Sequence, residues 1–233
     1  MRKNNQFYSD VYSFFVLKKN INEKKMKKIF SLMRVDSTFM TTSYNRMFDV
    51  NIILNKYIKK YFLKKPIICD FAVSSGQSTY ELFRDLNNEN IGKIYGFDKK
   101  IYITIYQIGK FLFLYSSRNE LLLTEYDRQC LRYRYFFLIK KFEKVLPILF
   151  NKLYLLDLIN INYKKTKLLT PNLDKIDKLK FFEQDIFNVS KNYFNFFDVV
   201  RVSNLLNFSY FSEAKLKKAI FNLKKISKEN SII

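Results

Sequence analysis

Between Pro66 and Asp98 the sequence runs through an apolar segment with an acid near its end, a turn of small residues, an amphipathic helix and a second apolar segment capped by an acid. No other stretch limits the fold as tightly. Pro66-Ile67-Ile68-Cys69-Asp70-Phe71 is apolar nearly throughout rather than alternating, the pattern of a parallel strand buried on both faces. Ser74-Ser75-Gly76 makes a turn. Ser78 to Leu86 then has helical spacing, with Tyr80, Leu82, Phe83 and Leu86 on the expected inner side, and Asn87-Asn88-Glu89-Asn90 ends it. Lys93 to Phe97 reads as a second strand with Asp98 at its carboxyl tip. A strand, helix and strand within about 30 residues form the βαβ unit of a doubly wound sheet.

The pattern returns near the end of the chain. Leu179 to Asp185 reads as a third strand ending in an acid, and Phe197 to Val202 as a fourth. Glu213 to Ile226 reads as a helix with Leu216, Ala219, Ile220 and Leu223 on one face, and Ser231-Ile232-Ile233 as the first residues of a fifth strand. Residues 99–177 stand apart as an α+β insertion between the second and third strands. In it, Ile101 to Ile108 is apolar and of either type. Lys110 to Tyr115 and Leu121 to Tyr126 suggest a hairpin around Ser117-Arg118-Asn119-Glu120, and Tyr135 to Leu158 suggests a helix interrupted at Pro147. Residues 1–65 read as amphipathic helices. Lys24 to Arg34 is one, and Asp49 to Phe62, with Val50, Ile53, Leu54, Tyr57, Ile58 and Tyr61 as its packing face, is another. The expected fold is therefore α/β: a Rossmann-like three-layer sandwich with a mostly parallel sheet. The expected domains are an N-terminal helical cap at 1–65 and a Rossmann-like domain at 66–233 that carries the 99–177 insertion.

Composition closes off several functions. Histidine is absent, so no His-based catalytic triad exists. Cys69 and Cys130 are isolated and belong to no C-x-x-C pair, which argues against zinc and fits a reducing, cytoplasmic setting. A hydrophobic content of 48% supports a true core, while Gly 4 and Pro 3 disfavour a fold rich in tight turns. The net charge of +21 permits contact with nucleic acid or another polyanion. The lysines are spread along the chain, however, and accompany abundant Asn, Ile, Phe and Tyr, the trace of AT-rich codon usage. No membrane span is expected, because the best apolar stretch, Ile101 to Ser117, is broken by Gly109 and Lys110.

Open α/β sheets bind ligands beyond the carboxyl ends of their strands. The polar residues expected there are Asp70 to Gly76, Asp98, Asp185 and Ser203-Asn204. The dinucleotide pattern G-x-G-x-x-G would need glycine at Ala72, Ser74 and Gln77, and none is there. Asp70-Phe71-Ala72-Val73-Ser74-Ser75-Gly76 instead resembles the acid-plus-G-x-G-x-G motif of class I S-adenosylmethionine-dependent methyltransferases, with small residues at Ala72 and Ser74 for two of the glycines.

That resemblance covers about Pro66 to Ile233, outside the insertion. It implies S-adenosyl-L-methionine as cofactor and methyl transfer as activity. It also implies a cofactor-binding set of Asp70, Ala72, Ser74, Gly76, Asp98, Asp185, Ser203 and Asn204. In it Asp98 accepts the ribose hydroxyls and Asp185 meets the adenine amino group. It names no catalytic base and no methyl acceptor. An N/D-P-P-Y/F motif is missing after the fourth strand, which argues against adenine-N6 and glutamine acceptors. The family's sheet continues past a fifth strand, so the resemblance also implies a C-terminally truncated chain with the fourth strand short of a neighbour. A non-catalytic protein of the same fold and a basic nucleic-acid-binding protein are the alternatives; Arg132, Arg134 and the aromatics from Tyr133 to Phe137 suit the latter.

Overall fold

The computed structural model describes residues 10–19, 22–35, 38–39, 44–62, 65–86, 91–126, 129–130, 145–155, 161–171, 173–203 and 205–233. The Tyr133 to Phe137 run and Asn204 lie outside them. The chain divides into two units, residues 1–42 with 102–171 and residues 43–101 with 172–233. The segment expected as one N-terminal cap is thus shared between them. Among the described residues no helix is long and apolar enough to cross a membrane.

In chain order the elements begin with α1 (Asp10–Phe15), α2 (Glu23–Leu32), the two-residue strands β1 (Arg34–Val35) and β2 (Thr38–Phe39), and α3 (Phe48–Tyr61). The expected βαβ unit follows as β3 (Ile68–Phe71), α4 (Gln77–Asp85) and β4 (Ile94–Asp98). The insertion contributes β5 (Tyr102–Ile108), β6 (Phe111–Ser116), β7 (Leu121–Tyr126), β8 (Gln129–Cys130), α5 (Leu146–Leu155) and β9 (Ile161–Lys167). The chain then returns through β10 (Leu179–Glu183), β11 (Phe197–Val202), α6 (Glu213–Ile226) and β12 (Ser227–Ile232).

The first unit is built on an antiparallel sheet of order β8-β7-β6-β5-β9. The expected hairpin is β6–β7, and the ambiguous segment before it is strand β5, paired along its length with β6 and β9. Period-two alternation sorts the side chains. Ile103, Ile105, Leu112, Leu114 and Leu122 join Phe14, Phe15, Met26 and Phe30 of α1 and α2 in one apolar cluster. Tyr106, Tyr115 and Leu121 pack with Phe150 of α5 in another. Pro147 sits in the first turn of α5, which suits a residue with no N–H to give. The rest of the expected Tyr135 to Leu158 helix, before residue 145 and after residue 155, lies outside the described residues. The edge strand β9 exposes Lys164 and Lys165, charges that discourage pairing with another chain's edge.

The second unit holds a five-stranded sheet of order β10-β4-β3-β11-β12, parallel at every pairing. Its helices lie on both faces, giving the expected Rossmann-like three layers. On one face Cys69, Phe71, Phe97 and Val200 pack on Ala219, Leu223 and Ile226 of α6. On the other, Thr79 of α4 donates to Asp70 of β3, and Arg201 of β11 donates to Asn51 of α3. The fourth strand is not short of a neighbour: β12 leaves the end of α6 directly and runs parallel to β11, from Phe197 opposite Ser227 to Val199 opposite Ile232. The fifth strand therefore starts four residues before the Ser231 read from sequence.

Two helix faces differ from those read off periodicity. In α3 the buried residues are Asn51, Leu54 and Ile58, while Val50, Ile53, Tyr57 and Tyr61 are exposed. Asn51 turns inward because its amide serves two partners, accepting from Arg201 and donating to Asp85 Oδ2 at 2.8 Å. In α6, Asn222 is buried in place of the expected Ile220, because its amide donates to the Ile186 carbonyl at 2.9 Å.

Candidate ligand site at the carboxyl edge of the parallel sheet

Strand register sets a row of residues across the sheet: Phe181, Gly96, Asp70 and Arg201. Gly96 leaves space for its neighbour, since a Cβ there would lie 2.6 Å from the Phe181 ring. Beside it Asp70 and Arg201 form a cross-strand pair. Arg201 Nε donates to Asp70 Oδ1 at 2.9 Å, and Nη2 donates to Oδ2 at 2.6 Å. Thr79 Oγ1 donates to the same Oδ2 at 2.7 Å. The remaining Arg201 donors reach Asn51 Oδ1 at 2.9 Å and the Ser78 carbonyl at 3.0 Å. The pair is 5% and 1% exposed, so it sits in low dielectric with its hydrogen bonds made.

This network locates Asp70 in the layer between the sheet and α3–α4. It ties β3, β11, α3 and the first turn of α4 together immediately beneath the β3–α4 loop. The sequence reading missed Arg201, Thr79 and Asn51. The available signal was the lone arginine in Asp198-Val199-Val200-Arg201-Val202, a charge inside an otherwise buried strand.

Above the network, residues 72–76 form the loop. Ala72, Ser74 and Gly76 all have left-handed backbone, with φ of 63°, 51° and 75°. Glycine adopts this region freely, whereas an L side chain there costs about 1–2 kcal/mol. Three alternate residues share it, two of them with a Cβ. The loop is stitched to β4: Ala72 N–H donates to the Phe97 carbonyl at 2.8 Å, and Ser74 N–H donates to Asp98 Oδ2 at 2.9 Å. Gly76 then caps α4, accepting from Tyr80 N–H at 2.9 Å.

Asp98 Oδ1 accepts from Lys100 N–H at 3.2 Å. Burial raises the Asp98 carboxyl above its ordinary range; the backbone donors of Ser74, Lys100 and Lys99 and the Lys100 charge pull the other way without cancelling it.

The loop after β10 is next in line. Gln184 N–H donates to the Asp98 carbonyl at 2.9 Å. Asp185 lies two residues beyond the strand rather than at its tip, and its Oδ1 accepts from Phe187 N–H at 2.9 Å in a local turn. On the opposite side, Ser203 follows β11, and its N–H donates to the Phe71 carbonyl at 3.4 Å. Ser203 is 8% exposed. The hydroxyls of both Ser74 and Ser203 are buried with no hydrogen-bond partner among the described residues.

The structure thus gathers Ala72, Ser74, Gly76, Asp98 and Ser203 at the ends of β3, β4 and β11, with Asp185 one strand further out. Asp70 stands below this group. Such an edge, at the point where strand order reverses, belongs to an open, doubly wound parallel α/β sheet.

No protein-family model matches the chain, and no curated protein matches it. Solved structures do. A candidate S-adenosyl-L-methionine-dependent methyltransferase from Methanococcus maripaludis matches 91% of the chain at 10% identity, with a TM-score of 0.38. The CurJ carbon methyltransferase matches 76% at 12% identity and 0.37, and the PH0226 protein from Pyrococcus horikoshii OT3 matches 91% at 9% identity and 0.38. The chain spans 64%, 32% and 64% of the lengths of these three proteins.

Proposed function

We propose that the carboxyl edge of the parallel sheet binds S-adenosyl-L-methionine and that the protein transfers its methyl group to an acceptor. The observation that carries this reading is the left-handed backbone at Ala72, Ser74 and Gly76. These are the three positions of the G-x-G-x-G pattern. The chain has the backbone that glycine normally supplies even where the residue is Ala72 or Ser74. Strained left-handed residues held at the end of a central strand point to a ligand. The hydroxyls of Ser74 and Ser203, buried with no partner among the described residues, support the fit, because a polar ligand could satisfy them.

In this reading Asp98 accepts the ribose hydroxyls, its two oxygens sharing them with the backbone donors they already have. Asp185 takes the adenine amino group. Ala72, Ser74 and Gly76 let the ligand approach the backbone, and Ser203 flanks it beyond β11; Asn204, named with them in the sequence, lies outside the described residues. Asp70 belongs to the support rather than the contact surface, its carboxylate being occupied by Arg201 and Thr79. Bound cofactor supplies a methyl group already activated on a sulfonium. The chain's own task is to hold the acceptor in line with that bond, which needs no histidine.

Ligand selectivity tests the reading. At about 100 times its dissociation constant, S-adenosylhomocysteine is expected to raise the melting temperature by about 5–10 °C, while NAD and ATP at equal concentration leave it unchanged. Equal shifts with all three, or a shift with NAD alone, would reject it.

A further inference from the structure

Ser74 combines two features that a glycine would avoid. Its backbone is left-handed, at φ 51°, and its hydroxyl is buried without a partner among the described residues. Each feature disfavours the ligand-free fold, and both would vanish with glycine. The residue is also joined directly to Asp98, since its N–H donates to Asp98 Oδ2 at 2.9 Å. Whatever Asp98 holds therefore lies beside Ser74.

The geometry points to the Ser74 hydroxyl as a ligand contact that acts with Asp98 to hold the vicinal diol of a nucleoside. A hydroxyl can both donate and accept, so it can donate to one ribose oxygen while the Asp98 carboxylate accepts from the diol's hydroxyls. An anionic ligand group is disfavoured at this point by the neighbouring carboxylate, and a diol, whose hydroxyls both donate and accept, suits both side chains. This inference rests on the cofactor site proposed above. It adds a side-chain contact at a position where the G-x-G-x-G pattern offers none, and it makes the serine a determinant of ribose recognition.

Calorimetric affinities of the full chain for S-adenosylhomocysteine and for its 2′-deoxy and 3′-deoxy analogues test it, on wild type, Ser74→Gly and Ser74→Ala, beside melting curves of each ligand-free protein. Ser74→Gly is expected to leave the ligand-free melting temperature unchanged or higher. Both substitutions are expected to weaken S-adenosylhomocysteine about 10-fold, as for one lost hydrogen bond. Against the deoxy analogue that lacks the oxygen Ser74 meets, that loss should disappear, the signature of a direct coupling. Wild-type binding that both substitutions leave intact would overturn the Ser74 contact alone. A folded wild type that binds no S-adenosylhomocysteine would overturn the cofactor site and this contact with it.

Discussion

Arg201→Ala is expected to destabilise the parallel-sheet unit by about 3–5 kcal/mol, read as a large fall in the urea midpoint. The substitution removes both donors from a buried Asp70 carboxylate and strands it, with only Thr79 left to donate. It also takes a donor from Asn51 and another from the Ser78 carbonyl, so α3 and the first turn of α4 lose their ties to β11. The pair itself is worth far less than this. Removing both charges together, as in Asp70→Leu with Arg201→Met, should return much of the lost stability, because desolvating two ions offsets most of their attraction. Arg201→Lys should not rescue, since a single ammonium cannot span both carboxylate oxygens while reaching Asn51. A midpoint unmoved by Arg201→Ala would mean that the Asp70 carboxylate is not held in the buried pair.

Asp98→Ala is expected to weaken S-adenosyl-L-methionine binding about 100-fold, or about 3 kcal/mol, the scale of two hydrogen bonds to a charged acceptor. The pH dependence gives a second signature. A diol donates to the carboxylate and gains little from the acid, so protonating Asp98 weakens binding. Burial raises this carboxyl above its ordinary range. Wild-type affinity should therefore be flat above the raised value and fall as the pH drops through it, before an ordinary aspartate would protonate. Asp98→Asn should bind weakly with no such fall.

The linkage to folding has the opposite sense. The folded chain holds this proton more tightly than the unfolded one. Asp98 ionisation thus subtracts stability as pH rises from the ordinary aspartate range through the raised value, and contributes nothing below it. Calorimetric titrations across the acid range separate the two effects.

Much of the parallel-sheet unit was legible because its signals are local. The runs at β3 and β4 are nearly continuous and apolar, those at β10 and β11 are apolar-rich and of strand length, and α6 has the bounds its periodicity gives, Glu213 to Ile226. Side-chain direction was less legible. Asp70 was read as a ligand residue because an acid at a strand's carboxyl end often is one. Yet β3 is buried along its whole length, and alternation sends Asp70 to the face opposite Cys69 and Phe71. The arginine that meets it lies 131 positions away, beyond the reach of any local pattern. The same long-range partner turned Asn51 inward and displaced the expected face of α3.

The division of residues 1–65 between two units escaped notice for a related reason. Both halves are amphipathic helix, and amphipathicity says that a face packs without saying on what. The left-handed backbone at Ala72 and Ser74 was signalled only by their place at two glycine positions of the G-x-G-x-G pattern, since neither residue favours it.

The most direct test of the ligand site is residue-resolved. On titration of the protein with S-adenosyl-L-methionine, two-dimensional amide NMR should show saturable shifts at Ala72, Ser74, Gly76, Asp98 and Ser203, with the β6 and β7 amides unmoved. A well-dispersed spectrum that does not change with ligand, or one whose shifts fall only outside the loops after β3, β4, β10 and β11, would contradict the account.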